Sequence, residues 1–215
     1  MADTRSRILS VTWELLNQRD LRDLTLADVA RAAGVSRQAV YLHVENRAGL
    51  LIAMARFRDE QTQFAERARE AADLPAPGNV IELGRRWLVY LPKLEPVANA
   101  LYAAMLAGDV DAGNAWRDRM SDLRRVFRYA LRRAEVAGHL RAGLDLETAA
   151  DWMWMRLHLT AYLQLTEERG WKPAQAQREL LASVERDLLV PSAGTSKEQP
   201  VSSTVSPKHR ARRRS

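Results

Sequence analysis

The chain has 215 residues, of which 47% are hydrophobic and none is cysteine. A chain of this length and composition can form an apolar core, which excludes disorder throughout, and the missing cysteines exclude disulfides and thiolate metal sites. The formal net charge is +6, but residues 191–215 contain six Lys and Arg against one Glu and so carry most of it. The small charge left on residues 1–190 does not by itself indicate a nucleic-acid-binding protein. No apolar run reaches the roughly 18 residues that span a bilayer, and the first residues lack the apolar segment of a signal peptide, so we expect a cytoplasmic protein without membrane contact.

Apolar residues recur at helical spacing up to residue 190, and no segment shows the sustained alternation of a strand. Capping and breaking residues set the expected helix ends: Thr4 and Asp145 as N-caps, Pro75 and Gly78 as breakers, and Gly138 as a C-terminal stop. The helices predicted in this way are 5–19, 26–33, 37–43, 47–72, 81–90, 94–107, 111–137, 146–169 and 173–188. We therefore predict an all-α fold in which an N-terminal three-helix unit is joined by the long helix 47–72 to a larger helical domain.

The stretch TLADVARAAGVSRQAVYLHVENRAGLL (25–51) contains two short helices separated by a single glycine. Thr25 can accept the backbone N–H of Asp28, whose carboxylate can return a bond to Thr25 in a variant of the capping box. Gly34 supplies the left-handed conformation that ends the first helix, and Ser36 caps the second. Because so short a connection forces the two helices to cross steeply, the stretch predicts a helix-turn-helix.

The side chains of this motif divide into an inward and an outward set. The residues spaced to fill the angle between the helices are Val29, Ala33, Val35 and Val40. The outward residues carry groups that can read base edges in a major groove or bind phosphates. The predicted base contacts are Arg37, Gln38, Ala39 and Leu42, and the predicted phosphate contacts are Thr25, Ser36, Tyr41, His43 and Arg47. The alternative is an ordinary helical hairpin with solvated charges, but the combination of caps, glycine and outward side chains favours binding to double-stranded DNA.

The same stretch resembles the DNA-binding motif of the TetR family of bacterial transcriptional regulators. The matching residues are Thr25, Val29, Ala30, Ala33, Gly34, Val35, Ser36, Tyr41, His43 and Arg47, and the segment GHLRAGLDLETAA (138–150) is similar to the one before the penultimate helix of family members. Three positions differ from the residues most common in the family: Asp20 replaces a glycine, Val44 replaces a Phe, and Arg47, which matches as a basic residue, replaces the usual Lys. Asp tolerates a left-handed conformation and Arg keeps the phosphate-binding charge. The resemblance implies a three-helix DNA-binding domain, a divergent all-helical ligand domain, and a homodimer formed by the last two helices.

We expect three parts in the chain: residues 1–50 as the helix-turn-helix DNA-binding domain, 51–190 as the ligand-binding and dimerisation domain, and 191–215 as a disordered basic tail. The tail is rich in Ser, Thr, Pro and Arg and has too few apolar residues to offset the entropy lost on ordering it. Its arginines either add sequence-independent affinity for DNA or belong to a solubilising extension, and composition alone does not decide between the two.

Large aromatic residues are concentrated in the second half of the chain. With a few polar groups they can line a cavity for a small apolar or aromatic effector, although for any single one a place in the core is the commoner role. The predicted pocket residues are Trp87, Tyr102, Trp116, Phe127, Trp154 and His158. Apolar faces of the last two helices are predicted to form the subunit contact. The residues predicted there are Met155, Leu159, Leu163, Leu181 and Val184.

No enzyme class is indicated. The sequence lacks a phosphate-binding loop, a dinucleotide glycine fingerprint, an HExxH motif and a nucleophile elbow, and its four His have no metal-ligand spacing. We therefore predict no catalytic residue, metal or cofactor. The resulting interpretation is a ligand-responsive repressor that binds a pseudo-palindromic operator as a homodimer. The alternatives are a helical small-molecule-binding or scaffold protein without operator binding, and a small helical enzyme.

Overall fold

The computed structural model of the protein describes residues 2–18 and 24–190. Over these residues the chain forms ten α-helices and no strand, apart from a single antiparallel bridge between Leu140 and Leu189, which confirms the all-α prediction. The helices are α1 (Ala2–Gln18), α2 (Leu26–Ala32), α3 (Arg37–Tyr41), α4 (Arg47–Thr62), α5 (Phe64–Asp73), α6 (Gly78–Leu106), α7 (Val110–Val136), α8 (Leu146–Arg156), α9 (Leu159–Leu163) and α10 (Pro173–Leu188). Within the two described ranges no helix is both long and apolar enough to cross a membrane. Asp20 and the predicted basic tail lie outside them.

The helix ends that depend on local caps lie close to their predicted positions. Asp109 accepts the N–H of Ala112 at 2.9 Å at the start of α7, and Asp145 accepts the N–H of Thr148 at 2.9 Å at the start of α8. The predicted cap at Thr4 is wrong, because α1 already begins at Ala2 and Thr4 lies in its first turn.

The 29-residue helix α6 is the centre of the fold and contacts α4, α5, α7 and α10. The prediction of two separate helices here is wrong, because α6 continues through Pro92 and Pro96. A proline removes the N–H that would bond the carbonyl four residues earlier. The carbonyl of Leu88, which Pro92 leaves without that bond, accepts a hydrogen bond of 3.0 Å from Gln177 Nε2 on α10. A partner distant in sequence therefore stabilises the continuous helix.

The predicted helix 47–72 is divided in two. Gln63 has a left-handed conformation (φ 50°, ψ 34°), which ends α4 and begins α5. Just before it, the Thr62 hydroxyl donates to the carbonyl of Arg58 at 2.7 Å, a side-chain bond of the kind that bends helices. Helical periodicity alone does not report such a break, because the apolar residues on both sides keep a helical spacing.

The predicted helix 146–169 is interrupted at His158. This residue is extended (φ −70°, ψ 150°), and its Nδ1 accepts the N–H of Thr160 at 3.2 Å, so His158 caps α9. The carbonyl of Leu157 accepts a hydrogen bond of 2.6 Å from Trp87 Nε1 on α6. After α9 the backbone forms one π-helical segment, Gln164–Glu168.

α6 approaches α8 and α10 closely at Gly84. A Cβ at this position would lie 2.9 Å from Leu181 Cδ1 and 3.3 Å from Leu157 Cδ1, so the missing side chain permits the contact. Leu181, predicted as a subunit contact, therefore packs against α6 of its own chain.

Candidate DNA-binding surface and ligand cavity

The predicted helix-turn-helix is formed by α2 and α3. Thr25 Oγ1 accepts the N–H of Asp28 at 3.2 Å, and the Asp28 carboxylate accepts the N–H of Thr25 at 3.2 Å, so the predicted capping box is present. Gly34 has φ +62°, the left-handed conformation that the turn requires. Ser36 Oγ accepts the N–H of Ala39 at 3.1 Å and caps α3. The N–H of Val35 also donates to the carbonyl of Ala30 at 3.0 Å, so contacts between residues at most five apart determine this turn.

The two faces of α3 differ in burial. Val40 is 0% exposed and lies in the core with Val29 of α2 and with Ala33, the residue that follows α2, while Val35 is half-buried beside them. Leu42, at the end of the helix, is 80% exposed. The other exposed residues here are Arg37, Gln38 and Tyr41, with Ala39 and His43 half-buried next to them. A side chain as exposed as Leu42 contributes little to packing within the chain, so this face is available to an external partner.

The residues predicted to contact phosphates differ in the donors they offer. The N–H and the hydroxyl of Thr25 both donate to the Asp28 carboxylate, at 3.2 and 2.6 Å, so the geometry does not support a phosphate contact by Thr25. The hydroxyl of Ser36 accepts a bond in its cap and keeps its own hydrogen as a donor. Arg47 is exposed at the first residue of α4, where the helix dipole also attracts an anion.

The N-cap of α4 is a residue that the sequence analysis missed. Asn46 Oδ1 accepts the N–H of Gly49 at 2.8 Å and caps α4, while its Nδ2 donates to Asp111 Oδ2 on α7 at 3.0 Å. The preference of Asn for N-caps is a local signal for the first contact. The second joins residues 65 positions apart and has no signal in the local sequence.

The aromatic residues predicted to form one effector pocket lie in separate places. Four of them, Tyr102, Trp116, Trp154 and His158, form a cluster in which the ring centroids of contacting pairs are between 4.8 and 6.5 Å apart. Trp87 lies instead against Phe64 and Tyr90, whose rings stack at 4.3 Å. Phe127 is fully buried. The prediction of a single pocket formed by all six is therefore wrong.

A cavity of about 640 Å³ lies between α5, α6 and α7, next to the end of α4. This volume is sufficient for a small organic molecule. Its apolar walls are formed by Phe64, Ala65, Ala68, Ala72, Leu83, Trp87, Leu94, Met120, Leu123 and Val126. Of the six predicted residues Trp87 alone lines this cavity, and Trp116 lines a separate void of about 20 Å³ that Trp87 also borders. The remaining members were missed because alanines and leucines on three helices carry no pattern that distinguishes a cavity wall from a core.

A polar cluster joins three helices at the wall of this cavity. Asp59 of α4 accepts hydrogen bonds from Arg119 of α7 at 2.9 and 3.2 Å and from the Tyr90 hydroxyl of α6 at 2.5 Å. Burial, followed by the negative charge of Asp59, raises the pKa of Tyr90, so its phenol remains a donor. Asp59 and Arg119 both line the cavity.

The residues predicted for the subunit contact also differ in burial. Met155 is 43% exposed, and Trp152, three residues earlier on the same face of α8, is 44% exposed. Leu163 is half-buried. Leu159 and Val184 are buried within the chain, Val184 at 0% exposure, so the prediction that these two contact a second subunit is wrong. Their helical spacing is right for an interface, but the same face packs inside the chain.

Comparisons with known proteins agree with this geometry. Residues 8–54, which include α2 and α3, match the family described as bacterial regulatory proteins, tetR family. The HTH-type transcriptional regulator TtgR of Pseudomonas putida is 35% identical over 71 residues, which cover 33% of this chain and about a third (34%) of TtgR. The HTH-type transcriptional repressor BepR of Brucella suis is 28% identical over 162 residues, which cover 70% of this chain and 75% of BepR.

Solved structures share the fold. In its complex with triclosan, SmeT, the repressor of a multidrug efflux pump of Stenotrophomonas maltophilia, aligns with a TM-score of 0.68 at 20% identity, covering 92% of this chain and 98% of that one. The helix-turn-helix geometry and the family match together show that residues 8–54 belong to the tetR family of bacterial regulatory proteins, and the all-α architecture of the described residues is the fold that SmeT has.

Proposed function

We propose that the protein is a ligand-responsive transcriptional repressor that binds a pseudo-palindromic DNA operator as a homodimer. The observation that carries the proposal is the outer face of α3, where Arg37, Gln38 and Leu42 are exposed on a helix whose inner face is buried. Arg and Gln can form bidentate bonds with guanine and adenine edges, and Leu can contact a thymine methyl group. The names of BepR and SmeT as repressors, and the complex of SmeT with triclosan, support repression under the control of a small molecule.

In this proposal residues 1–50 bind DNA, and residues 51–190 bind the effector and the second subunit. The boundary falls inside α4, which begins at the proposed phosphate contact Arg47 and carries the cavity residue Asp59 near its end. A ligand that displaces α4 therefore changes the spacing of the two recognition helices in a dimer. A duplex accepts a narrow range of spacings, so a ligand that favours another spacing lowers operator affinity. The loss equals the difference between the ligand's binding free energies for the dimer with the operator spacing and for the dimer with the other spacing.

The proposed subunit contact includes the exposed face of α8 around Trp152 and Met155. Two large, adjacent and exposed apolar side chains are covered when the same face of a second copy packs on them about a twofold axis. Met155→Glu should therefore yield monomers in analytical ultracentrifugation. Val136→Glu, which changes a still more exposed apolar residue on α7, is the matched control and should remain dimeric. A dimeric Met155→Glu variant would place the interface elsewhere.

Selection of bound duplexes from a random library tests DNA binding. We expect an inverted repeat whose half-sites lie about one helical turn, roughly 34 Å, apart or near a multiple of it. Arg37→Ala and Gln38→Ala should each lower the preference for the selected duplex by roughly 1–3 kcal/mol, whereas Arg47→Ala should weaken all duplexes alike and flatten the salt dependence. Unchanged selectivity in the Arg37→Ala/Gln38→Ala double variant would refute base reading by α3. A library without any enriched duplex would favour a small-molecule-binding protein that lacks an operator.

A further inference from the structure

Arg119 lies where three spaces in the protein meet. It lines the cavity of about 640 Å³, the adjoining void of about 20 Å³ and a polar cleft of about 570 Å³ between the start of α4 and α7. Its guanidinium has five N–H donors, and two hydrogen bonds join it to Asp59. Arg119 therefore has further N–H groups that are not bonded to Asp59, and it lines the cavity together with Trp87 and Met120.

The charged residues around the cavity offer more donors than acceptors. Three acids line it, and each has a partner that donates or carries a positive charge. The pairs are Asp59–Arg119 at 2.9 Å, Asp73–Tyr129 at 2.9 Å and Asp122–Arg125 at 2.9 Å. The third base of the lining, Arg69, forms no ion pair with a residue of the described ranges. The acids of the lining are therefore already paired, whereas its guanidinium groups have further N–H groups that are not bonded to these acids. Such a lining favours a ligand group that accepts hydrogen bonds.

We propose that this cavity binds a small organic acid with an apolar body. The anionic group of the ligand replaces the Asp59 carboxylate as the ion-pair partner of Arg119. The proposal rests on the proposed function in treating the cavity as the effector site. The exchange replaces one anion on Arg119 by another, while Asp59 keeps the hydrogen bond from Tyr90 and its side chain is 28% accessible to water. A cationic ligand would have to break the bidentate Asp59–Arg119 pair by binding Asp59 in place of Arg119. A neutral ligand leaves the pair intact.

The exchange has a direct consequence for α4. Two polar contacts of the described residues tie α4 and its cap to α7, Asn46–Asp111 at the start and Asp59–Arg119 near the end. An anion on Arg119 removes the second contact and leaves the first. The end of α4 next to the cavity then keeps the bond from Tyr90 of α6 but is no longer tied to α7, so it can shift relative to α7 while its start remains held.

A matched pair of fluorescent probes tests the class of ligand. The first is 8-anilinonaphthalene-1-sulfonate, and the second is N-phenyl-1-naphthylamine, the same molecule without the sulfonate. Both gain fluorescence in apolar surroundings, so each can be titrated into the full chain without DNA. We expect one site per chain for both probes, blocked for both by Ala65→Trp, which adds bulk at an exposed residue of the lining.

Three substitutions separate recognition of the charge from a structural effect. Arg119→Gln should weaken binding of the sulfonate about tenfold, since a charge-assisted hydrogen bond is lost, and leave the amine unchanged. Asp59→Asn keeps a partner for Tyr90 but removes the competing anion, so the sulfonate should bind more tightly and the amine as before. Arg69→Gln changes an exposed residue of the lining, so it should leave folding intact and also weaken binding of the sulfonate alone.

Equal responses of both probes to these substitutions, or weaker sulfonate binding in Asp59→Asn, would overturn the proposal. Operator affinity is measured separately in the presence of saturating sulfonate. If the probes respond as expected and operator affinity stays constant, the organic-acid site stands and the ligand-responsive repressor is refuted.

Discussion

Val40 and Leu42 lie two residues apart on and just after α3, and their opposite burial makes them a matched pair. Val40→Ala removes two fully buried carbon atoms, worth about 1.6 kcal/mol of transfer free energy at about 0.8 kcal/mol each. The cavity left behind raises the expected loss in the free energy of unfolding to about 2–3 kcal/mol. Leu42→Ala removes three carbon atoms that water already contacts, so the expected change is within about 0.5 kcal/mol. The smaller deletion should therefore be the more destabilising one.

Operator affinity should show the reverse order. If Leu42 is buried against a thymine methyl group in the complex, Leu42→Ala should weaken binding of the selected duplex by about 1–2 kcal/mol and leave random DNA unaffected. The folded fraction of Val40→Ala should bind almost as the unchanged protein does, because its outer face is intact. Urea unfolding followed by tryptophan fluorescence and polarisation of a labelled duplex measure the two quantities. A Leu42→Ala variant as unstable as Val40→Ala, or one with unchanged operator affinity, would refute the outward assignment of Leu42.

Three further substitutions test the packing and the caps. Gly84→Ala places a Cβ 2.9 Å from Leu181 Cδ1 and should lower the free energy of unfolding, measured in urea, by about 1–3 kcal/mol. An unchanged free energy of unfolding would show that Leu181 moves aside. Ser36→Ala should cost about 1 kcal/mol in the same assay, since the first turn of α3 loses its cap, and no loss would mean that water replaces it. Burial lowers the pKa of His158 below its ordinary value of 6.5, so the unfolded chain binds the proton more readily and stability should fall as the pH drops through 6.5. His158→Asn, which can still accept the N–H of Thr160, should remove that part of the pH dependence, and an unchanged profile would assign it to other groups.

The sequence predicted the features that depend on contacts within a few residues. The capping box at Thr25, the left-handed turn at Gly34 and the cap at Ser36 are each made by neighbours in the chain, so the residue types alone indicate them. The exposed and buried faces of α3 follow from helical spacing once that turn is known. The helix-turn-helix and the all-α fold could therefore be predicted before any tertiary contact was known.

Tertiary contacts decided where long helices break and where they continue. Gln177 satisfies the carbonyl that Pro92 leaves unpaired although the two helices are distant in sequence, and Trp87 does the same for the carbonyl of Leu157 at the interruption of α8. Neither partner can be identified from the residues next to the break, which is why α6 was predicted as two helices and α8 and α9 as one.

The cavity and the subunit contact were decided in the same way. Helical spacing shows that Trp87 and Phe127, or Met155 and Val184, lie on apolar faces, but it does not show which faces pack inside the chain. The structure buries Phe127 and Val184, leaves Met155 exposed, and opens a cavity beside Trp87 that is lined by α5, α6 and α7. The period of a helix determines which of its residues share a face. The burial of that face is determined by the helices that pack against it, and those contacts join residues far apart in the chain.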